Sequence, residues 1–307
     1  MAPNLCRWKN RGSMGLGCRY CRNNNGSMPV IPISQQIKRT GKIEPVKLII
    51  VGAGKMGGAI LTGALRAEIF TTDEVGIYHP DPKRRKYLCE QFQVLEVTEK
   101  DILKAEAILI AVKPQVFLAK TAPLLKGSRA SFISIMAGVS AETLASSLDS
   151  NIITRAMPNL GSHVGLSATA ITSNSEATPK QVDFTIRLFK SVGKVYPIPE
   201  TMFDSFTGLA ASGPAFAAVV AEAMADGGVR VGFTREIAAD LVRQVLLATA
   251  QLLEAKGPAS IKDEVSSAGG TTITGIKALE KHRIRYALID AIEAATSRAK
   301  QLREDHH

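Results

Sequence analysis

A glycine-rich segment that begins at residue 52 constrains the fold more than any other part of this chain. A β-branched apolar run over residues 46–51 precedes Gly52, Gly54 and Gly57, and apolar residues at helical spacing follow them. Strand, glycine turn and helix in that order are what a GxGxxG dinucleotide fingerprint requires. Gly52 permits the tight turn, Gly54 admits a pyrophosphate to the helix N-terminus, and Gly57 lets helix and strand pack closely. The segment predicts a dinucleotide site; a strand–helix turn without a ligand is the alternative.

Apolar strands and helices go on alternating through the first two thirds of the chain. The further predicted strands cover residues 74–79, 105–114, 131–138 and 151–159, and a helix and a strand over residues 177–199 complete the series. Continuous apolar strands separated by helices indicate a parallel, doubly wound sheet of the α/β class. In such a sheet the ligand lies outside the carboxyl ends of the strands. The prediction is a Rossmann-like dinucleotide-binding domain over residues 45–205.

The end of the second predicted strand bears on the choice of cofactor. NAD-binding folds usually place an acidic residue there, which accepts hydrogen bonds from the ribose. This strand ends at His79 without an acid, and residues 83–86 are all basic. We expect His79, Arg84 and Arg85 to lie at the cofactor and a 2′-phosphate to find cations there, so NADPH is the predicted cofactor. Asp81 lies close enough in sequence to accept hydrogen bonds from ribose hydroxyl groups, so NADH stays possible as the cofactor. The alternative interpretation of residues 83–86 is a solvated helix start with ordinary surface charge.

Strand patterning ends near residue 206, and long alanine-rich helices follow. Residues 209–232 and 234–255 carry small apolar side chains on more than one helix face. Such helices can approach closely, which suits a core and equally a subunit interface. We predict an all-α domain over residues 206–307 that forms an oligomer, because its apolar faces would otherwise be exposed; that it is a dimerisation domain is implied by the family resemblance described below. We expect charged residues to keep every apolar run clearly shorter than the ~18 residues that a membrane span needs. No membrane partner is therefore predicted.

The positive charge of the chain is concentrated at its N-terminus. The formal charge is +10, yet residues 1–43 hold eight Lys or Arg and no acid, so residues 44–307 carry 30 basic and 28 acidic side chains. A nearly neutral body argues against a nucleic-acid partner. Residues 1–44 lack apolar periodicity, and we expect a disordered basic extension that the body does not need. An organellar presequence, a start codon misassigned upstream of Met28, and a nucleic-acid or membrane arm are the open alternatives.

Cysteine usage predicts neither a disulfide framework nor a metal site. Cys6, Cys18 and Cys21 lie in the N-terminal extension without a histidine, and a structural zinc site needs four ligands. Cys89 has no partner cysteine in the body of the chain. This pattern fits a reducing compartment, so we expect a cytoplasmic protein, or an organellar one if residues 1–44 are a presequence.

The segment DEVSSAGGTTITG, residues 263–275, stands out within the helical half of the chain. Glycine and hydroxyl residues favour turns and caps over helix interiors, so a helix–helix connector is one interpretation. The other is a site for a small anionic substrate, because glycines let a ligand approach backbone N–H groups and a following helix start adds a positive dipole.

Six segments taken together resemble the pyrroline-5-carboxylate reductase family. They are GAGKMGGAI, AVKPQ, SIMAGVS, RAMPN, SGPAFAAVVAEAMADGGVRVG and DEVSSAGGTTITGIKALE, in this order, from about residue 46 to residue 303. The resemblance implies hydride transfer from NADPH, or NADH, to the C=N bond of 1-pyrroline-5-carboxylate, giving L-proline in the last step of proline biosynthesis. It also implies a homodimer interwoven through the helical domain, with the substrate loop at the interface, and in some members a decamer.

The resemblance also assigns residues to the site. The pyrophosphate loop is matched by Gly52, Ala53, Gly54, Lys55, Met56 and Gly57. The turns beside the cofactor ribose and nicotinamide are matched by Ala111, Val112, Lys113, Pro114, Ala137, Gly138 and Val139. The loop for the substrate carboxylate and ring nitrogen is matched by Ser267, Gly270, Thr271 and Thr272. Thr272 and Ser267 are the candidate catalytic residues.

The distribution of lysine and histidine bears on the reaction. Reducing a ketone generally needs a positioned acid or base, and neither residue type occurs between Lys194 and Lys256. An imine is more basic than a ketone and can arrive protonated, so the hydroxyl group of Thr272 or a water is sufficient. The alternatives are an NADP-dependent hydroxyacid or keto-acid reductase of similar layout, and a non-catalytic nucleotide-sensing protein, which would not need the substrate loop.

Overall fold

The structure, a computed structural model, describes residues 46–305. The predictions for residues 1–44, including those for Cys6, Cys18 and Cys21, lie outside this part of the chain. Within it a mainly parallel sheet is followed by helices, which confirms the predicted α/β class with a helical C-terminal part.

The sheet of the described chain has eight strands in the order β3-β2-β1-β4-β5-β6-β7-β8. Their bounds are β1 Leu48–Val51, β2 Val75–Tyr78, β3 Leu95–Glu96, β4 Ala107–Ile110, β5 Ser131–Ser134, β6 Ile153–Met157, β7 Ser167–Ser173 and β8 Gly193–Pro197. Neighbouring strands are parallel except for β6 and β7. The strand order reverses between β1 and β4, and this switch point is where doubly wound sheets bind their ligands.

Four strands could be predicted from the sequence because they are buried on both faces of the sheet. Every residue of β1, β2, β4 and β5 is buried, because helices cover both faces and the strands therefore appear as apolar runs. Two strands were missed by the sequence analysis. β3 has only two residues, and β7 consists of Ser, Ala and Thr around a single isoleucine.

Helices form both outer layers of the sheet and the rest of the chain. The helices up to the last strand are α1 Lys55–Arg66, α2 Pro82–Phe92, α3 Glu99–Ile102, α4 Pro114–Val116, α5 Ala122–Leu125, α6 Ala141–Leu148 and α7 Pro179–Lys190. After the sheet come α8 Phe203–Phe206, α9 Gly213–Arg230, α10 Arg235–Leu252, α11 Pro258–Glu264, α12 Thr271–Lys281 and α13 Ile284–Glu304. Two π-helical turns, Phe117–Thr121 and Thr207–Ala211, join α4 to α5 and α8 to α9.

An ion pair on β6 holds the helical part against the sheet. Nη1 of the buried Arg155 donates to Oε1 of Glu200 at 2.6 Å, and the guanidinium lies 4.6 Å from the ring centre of Phe203. The same carboxylate oxygen accepts the backbone N–H of Ala141, the first residue of α6, at 2.7 Å. Burial lowers the pKa of Arg155, and the carboxylates of Glu200 and Asp204 oppose that shift. One carboxylate thus joins a buried strand, a sheet-side helix and the start of the helical part.

Asn159, just after β6, makes a second connection. Its Nδ2 donates to the carbonyl oxygen of Ala210 at 2.8 Å. This carbonyl lies four residues before Pro214, which has no N–H to offer it, so the asparagine satisfies a group that the helix leaves free. Oδ1 of Asn159 accepts the N–H of Gly161 at 3.0 Å. The asparagine of the RAMPN segment is therefore occupied in joining the two parts of the fold.

The helical stretch Glu200–Arg230 is more apolar than the sequence analysis expected. It is 31 residues long and contains a window with a mean hydropathy of 1.4, so it could cross a membrane by length and composition alone. The expected early interruption by charge was wrong here, because no charged residue lies between Asp204 and Glu222. Only 11% of that window is buried within the described chain. A helix covered by a second subunit has the same length and composition.

Candidate active site

A cleft of about 370 Å³ lies at the switch point of the sheet. Its floor is the loop after β1, with Gly52, Ala53 and Gly54. One wall is the end of β2 with the start of α2, and the other is the segment after β4. The complete lining is Val51, Gly52, Ala53, Gly54, Tyr78, His79, Pro80, Arg84, Leu88, Ala111, Val112, Lys113, Val116, Lys120, Thr121 and Leu124. It contains two lysines, an arginine and a histidine, and no carboxylate, which favours an anionic ligand.

The floor has the backbone that a pyrophosphate site needs. Gly52 adopts a φ of +91°, and a Cβ there would lie 2.6 Å from Cγ1 of Val112 and 2.8 Å from the Ala111 carbonyl oxygen. No other residue can make this turn so close to the strand beside it. A Cβ on Gly54 would meet no protein atom within 4 Å, and this residue lines the cleft. The open space above Gly54 is therefore free for a ligand at the N-terminus of α1.

No carboxylate at the tip of β2 lines the cleft, where it would meet ribose hydroxyl groups. Asp81 is the N-cap of α2, where its Oδ1 accepts the N–H of Lys83 at 3.0 Å. Its own N–H donates to Nδ1 of His79 at 3.1 Å, which leaves Nε2 of His79 to carry the ring proton. Burial, reinforced by a hydrogen bond to Glu99, raises the pKa of Tyr78. Since the Tyr78 hydroxyl group already donates to Glu99, the polar groups that this wall offers to a phosphate are Nε2 of His79 and the guanidinium of Arg84.

The two arginines predicted to bind a 2′-phosphate differ in the structure. Nε of Arg85 donates to Glu96 at 3.0 Å, and Nη1 donates to the carbonyl oxygen of His79 at 3.2 Å. Arg84 lines the cleft, and its guanidinium lies 5.1 Å from the ring centre of Tyr87. Arg84 thus remains the predicted phosphate contact, whereas the contacts of Arg85 brace the tip of β2.

Arg84→Ala is expected to raise the KM for NADPH about tenfold and to change that for NADH less than twofold. Charge-assisted hydrogen bonds contribute about 1.5–3 kcal/mol, and an exposed arginine lies at the lower end of that range. Arg85→Ala is the matched control, because Glu96 already neutralises this residue; it should affect both cofactors to the same small extent. Steady-state kinetics with both cofactors measures this. If Arg84→Ala and Arg85→Ala raised the KM for NADPH equally and selectively, the different roles given to the two arginines would be wrong.

The other predicted cofactor residues are only partly gathered at the cleft. Ala111, Val112 and Lys113 line it, whereas Pro114 begins α4 and is not part of the lining. Lys55, Met56 and Gly57 begin α1 just beyond the floor. Ala137, Gly138 and Val139 follow β5, beside the end of β4, and Gly138 has a φ of +71°. The carboxyl ends of β1, β2, β4 and β5 therefore share one edge, with the last turn outside the cleft itself.

The segment DEVSSAGGTTITG folds as a sharp connection between α11 and α12. Gly269 turns the chain with a φ of +68°, and Gly270 is the N-cap of α12 without a side-chain cap. The hydroxyl groups of Ser267 and Thr272 make no hydrogen bond with described residues, and neither do the first backbone N–H groups of α12. Free N–H donors and free hydroxyl groups thus meet at one helix start, which is the arrangement expected for binding a carboxylate.

Gly270 is required for its lack of a side chain and not for its backbone conformation. Its φ is −76°, a value that any residue adopts. A Cβ at this position would lie well inside van der Waals contact with Oγ of Ser267 and 3.2 Å from the Ser267 carbonyl oxygen. The small size of Gly270 therefore leaves the space that the Ser267 hydroxyl group occupies.

Within one chain the cofactor cleft and the substrate loop are separate. The cleft is lined by residues between Val51 and Leu124, and none comes from the loop. The helical part also exposes many apolar side chains, among them Val231 at 76%, Tyr286 at 66% and Val219 at 64%. None of the residues predicted to bind the substrate carboxylate lines the cofactor cleft of the same chain.

Several residues of the site were missed by sequence reasoning. Lys120 and Thr121 line the cleft, although they lie within a π-helical turn that no sequence pattern announces. Glu200 and Arg155 are 45 residues apart, and their pairing required the fold. Lys120 lies beyond the AVKPQ segment that the sequence analysis assigned to the cofactor, and its orientation depends on the π-helical turn, so the sequence gives no signal for it.

Comparison with protein families agrees with this architecture. A family described as pyrroline-5-carboxylate reductase dimerisation matches residues 200–302, and one described as NADP oxidoreductase, coenzyme F420-dependent, matches residues 47–138. The doubly wound sheet, its cationic cleft and these matches define an NAD(P)-dependent oxidoreductase with a helical dimerisation domain.

Relatives identify the family. The pyrroline-5-carboxylate reductase of Thermus thermophilus is 47% identical over 260 residues, covering 84% of this chain and 99% of its own length. That of Synechocystis is 40% identical over 262 residues, covering 84% and 98%. The chain belongs to the pyrroline-5-carboxylate reductase family. Among solved structures, the Plasmodium falciparum enzyme with NADP bound is 27% identical with a TM-score of 0.74, covering 84% of this chain and 98% of its own. The Streptococcus pyogenes enzyme is 31% identical with a TM-score of 0.76, covering 83% and 98%.

Proposed function

We propose that this protein reduces 1-pyrroline-5-carboxylate to L-proline with NADPH. A hydride passes from the reduced nicotinamide to the C=N carbon, and a proton ends on the ring nitrogen. The cofactor supplies the hydride chemistry, while the protein positions both reactants. The observation that carries the proposal is the start of α12, where free N–H groups and the free hydroxyl groups of Ser267 and Thr272 meet at Gly270.

The substrate carboxylate is assigned to this helix start. The first N–H groups of α12 point along the helix axis and carry its positive partial charge. Thr271 and Thr272 supply free backbone donors, and the hydroxyl group of Ser267 supplies another. The interaction needs no cationic side chain.

Thr272 is assigned to the ring nitrogen. Its side chain is half-buried on the second residue of α12 and has no hydrogen-bond partner among the described residues. A hydroxyl group can accept from a protonated imine and donate to a neutral one. Thr272 therefore orients the C=N bond for hydride attack without having to titrate near neutral pH.

The active unit is assigned to a homodimer formed through residues 206–307. The matched dimerisation region includes both the substrate loop and the exposed apolar face of Glu200–Arg230. A second copy is the occupant that would cover this face and bring a substrate loop towards a cofactor cleft. The neutral body and the buried Cys89 fit a reducing compartment, and we place the enzyme in the cytoplasm. Assembly into a decamer is possible through further contacts between such dimers.

Leu241→Asp is expected to weaken self-association at least tenfold and to lower activity in parallel. Leu241 lies on α10 with 47% of its surface exposed, and a carboxylate buried in an apolar interface is strongly unfavourable. Leu103→Asp is the matched control, since Leu103 is 51% exposed but lies in the sheet domain. Light scattering over a range of protein concentrations measures association. A fully active monomer of the unaltered protein would contradict the dimeric site.

The direct test is the loss of reduced-nicotinamide absorbance when 1-pyrroline-5-carboxylate is added with NADPH or NADH. Rapid oxidation that depends on this imine is expected. Oxidation with 2-keto acids but not with the imine would favour a keto-acid reductase. Tight NADPH binding without turnover of any substrate would favour a sensor.

A further inference from the structure

The wall of the cleft opposite Arg84 carries a cation that the family resemblance does not assign. Lys120 lies in the π-helical turn Phe117–Thr121, between α4 and α5, and lines the cleft. Phe117 and Leu125 are fully buried on the other face of this segment. Their burial fixes the orientation of the segment, so that Val116, Lys120 and Leu124 form the cleft wall.

The position of Lys120 relative to the sheet defines what it can reach. β1 lies between β2 and β4, so the two walls of the cleft stand on either side of the loop after β1. In a doubly wound fold the pyrophosphate sits on that loop and the adenosine ribose lies at the tip of β2. Arg84 and Lys120 both line the cleft that a group on this ribose would enter.

The charges around this space favour a phosphate. No carboxylate lines the cleft, and Asp81 is engaged as the N-cap of α2. Lys120 forms no ion pair with a described residue, whereas Arg85 is neutralised by Glu96. An exposed lysine held on a fixed wall and left without a counterion attracts a dianion at short range.

We propose that Lys120 is a specificity-determining residue that binds the ribose 2′-phosphate of NADPH together with Arg84. The inference rests on the proposed function, since it takes NADPH as the cofactor. The adenine ring then lies against the apolar side chains of Val116 and Leu124. Lys120 discriminates NADPH from NADH because only NADPH presents the group that it binds.

Equilibrium binding tests this without relying on turnover. The probes are adenosine 2′,5′-bisphosphate and adenosine 5′-monophosphate, measured by calorimetry on the full chain. Lys120→Ala should weaken binding of the bisphosphate about fivefold and leave binding of the monophosphate within twofold. Lys120→Glu should weaken bisphosphate binding further, because the new carboxylate repels the 2′-phosphate. Lys126→Ala is the matched control: Lys126 is exposed at the end of α5 and outside the cleft lining.

The binding results with the two probes decide whether Lys120 contacts the 2′-phosphate. A selective loss for the bisphosphate that shrinks at high salt supports the assignment. Equal losses for both probes would place Lys120 at the 5′-phosphate and overturn it, as would no change in Lys120→Ala. Kinetics with NADPH and NADH should show the same selectivity in KM with kcat unchanged. If no imine turnover occurs but the probe selectivity holds, the proposed reaction fails while the role of Lys120 stands.

Discussion

Glu200→Ala is expected to lower the free energy of unfolding by about 3 kcal/mol. Removing one member of a buried ion pair typically costs about 3–5 kcal/mol, because the remaining charge is left without compensation. The side chain of Arg155 is 5% exposed and that of Glu200 is 37% exposed, which places the expected cost at the lower end. The variant also removes the acceptor of the Ala141 N–H. Denaturant titration at a fixed protein concentration measures the effect.

Two further variants distinguish the loss of the Arg155–Glu200 ion pair from a non-specific loss of stability. Arg155→Met in the Glu200→Ala background should recover part of the loss, because it removes the stranded cation. Asp183→Ala is the matched control: Asp183 forms an exposed pair with Arg187 on α7, and such pairs contribute at most about 1 kcal/mol. A cost for Glu200→Ala no larger than this control would show that the buried pair does not hold the domains together.

The parts of the fold that could be predicted are those with a local signal. Strands β1, β4 and β5 are buried on both faces, so each appears as an apolar run, and the glycines after β1 mark the turn that follows. β7 gives no such signal, because its Ser, Ala and Thr side chains resemble a polar connection. It forms through pairing with β6 and β8, which are distant interactions that no local window contains.

In the candidate site, too, some residues could be predicted from the local sequence and others only from the folded structure. Gly52 and Gly54 could be assigned from spacing, because the ligand is bound by backbone groups of one continuous segment. Arg84 and Arg85 are adjacent and identical in type, so only the position of Glu96 distinguishes them. Lys120 needed the orientation of a π-helical turn. The substrate loop was visible as an unusual composition, yet the clash that makes Gly270 necessary appears only once the loop is folded.

Gly270→Ala is expected to lower kcat/KM for 1-pyrroline-5-carboxylate about a hundredfold while NADPH binding changes little. The added methyl group collides with Oγ of Ser267 and lies 3.2 Å from the Ser267 carbonyl oxygen, so the Ser267 hydroxyl group has to rotate away or the loop has to shift. Either change displaces a substrate-binding group, and a misplacement of about 1 Å at a reacting site can cost about 10²-fold. The backbone itself needs no glycine there, since the φ of Gly270 is −76°. Ser267→Gly in the Gly270→Ala background should therefore relieve the collision and restore part of the loop geometry.

Thr272→Val tests the same site with an almost isosteric change. If Thr272 bonds the ring nitrogen, loss of its hydroxyl group should lower kcat/KM for the imine about tenfold, or about 1.4 kcal/mol. Thr274→Val is the matched control on α12, because Oγ1 of Thr274 is already bonded to the carbonyl oxygen of Gly270 at 3.0 Å. Melting temperature and NADPH binding should be unchanged in the Thr272 variant, since the cofactor cleft contains no residue of this helix. Unaltered kinetics in a folded Thr272→Val protein would remove Thr272 from the site and leave its chemistry to Ser267 and the backbone N–H groups of α12.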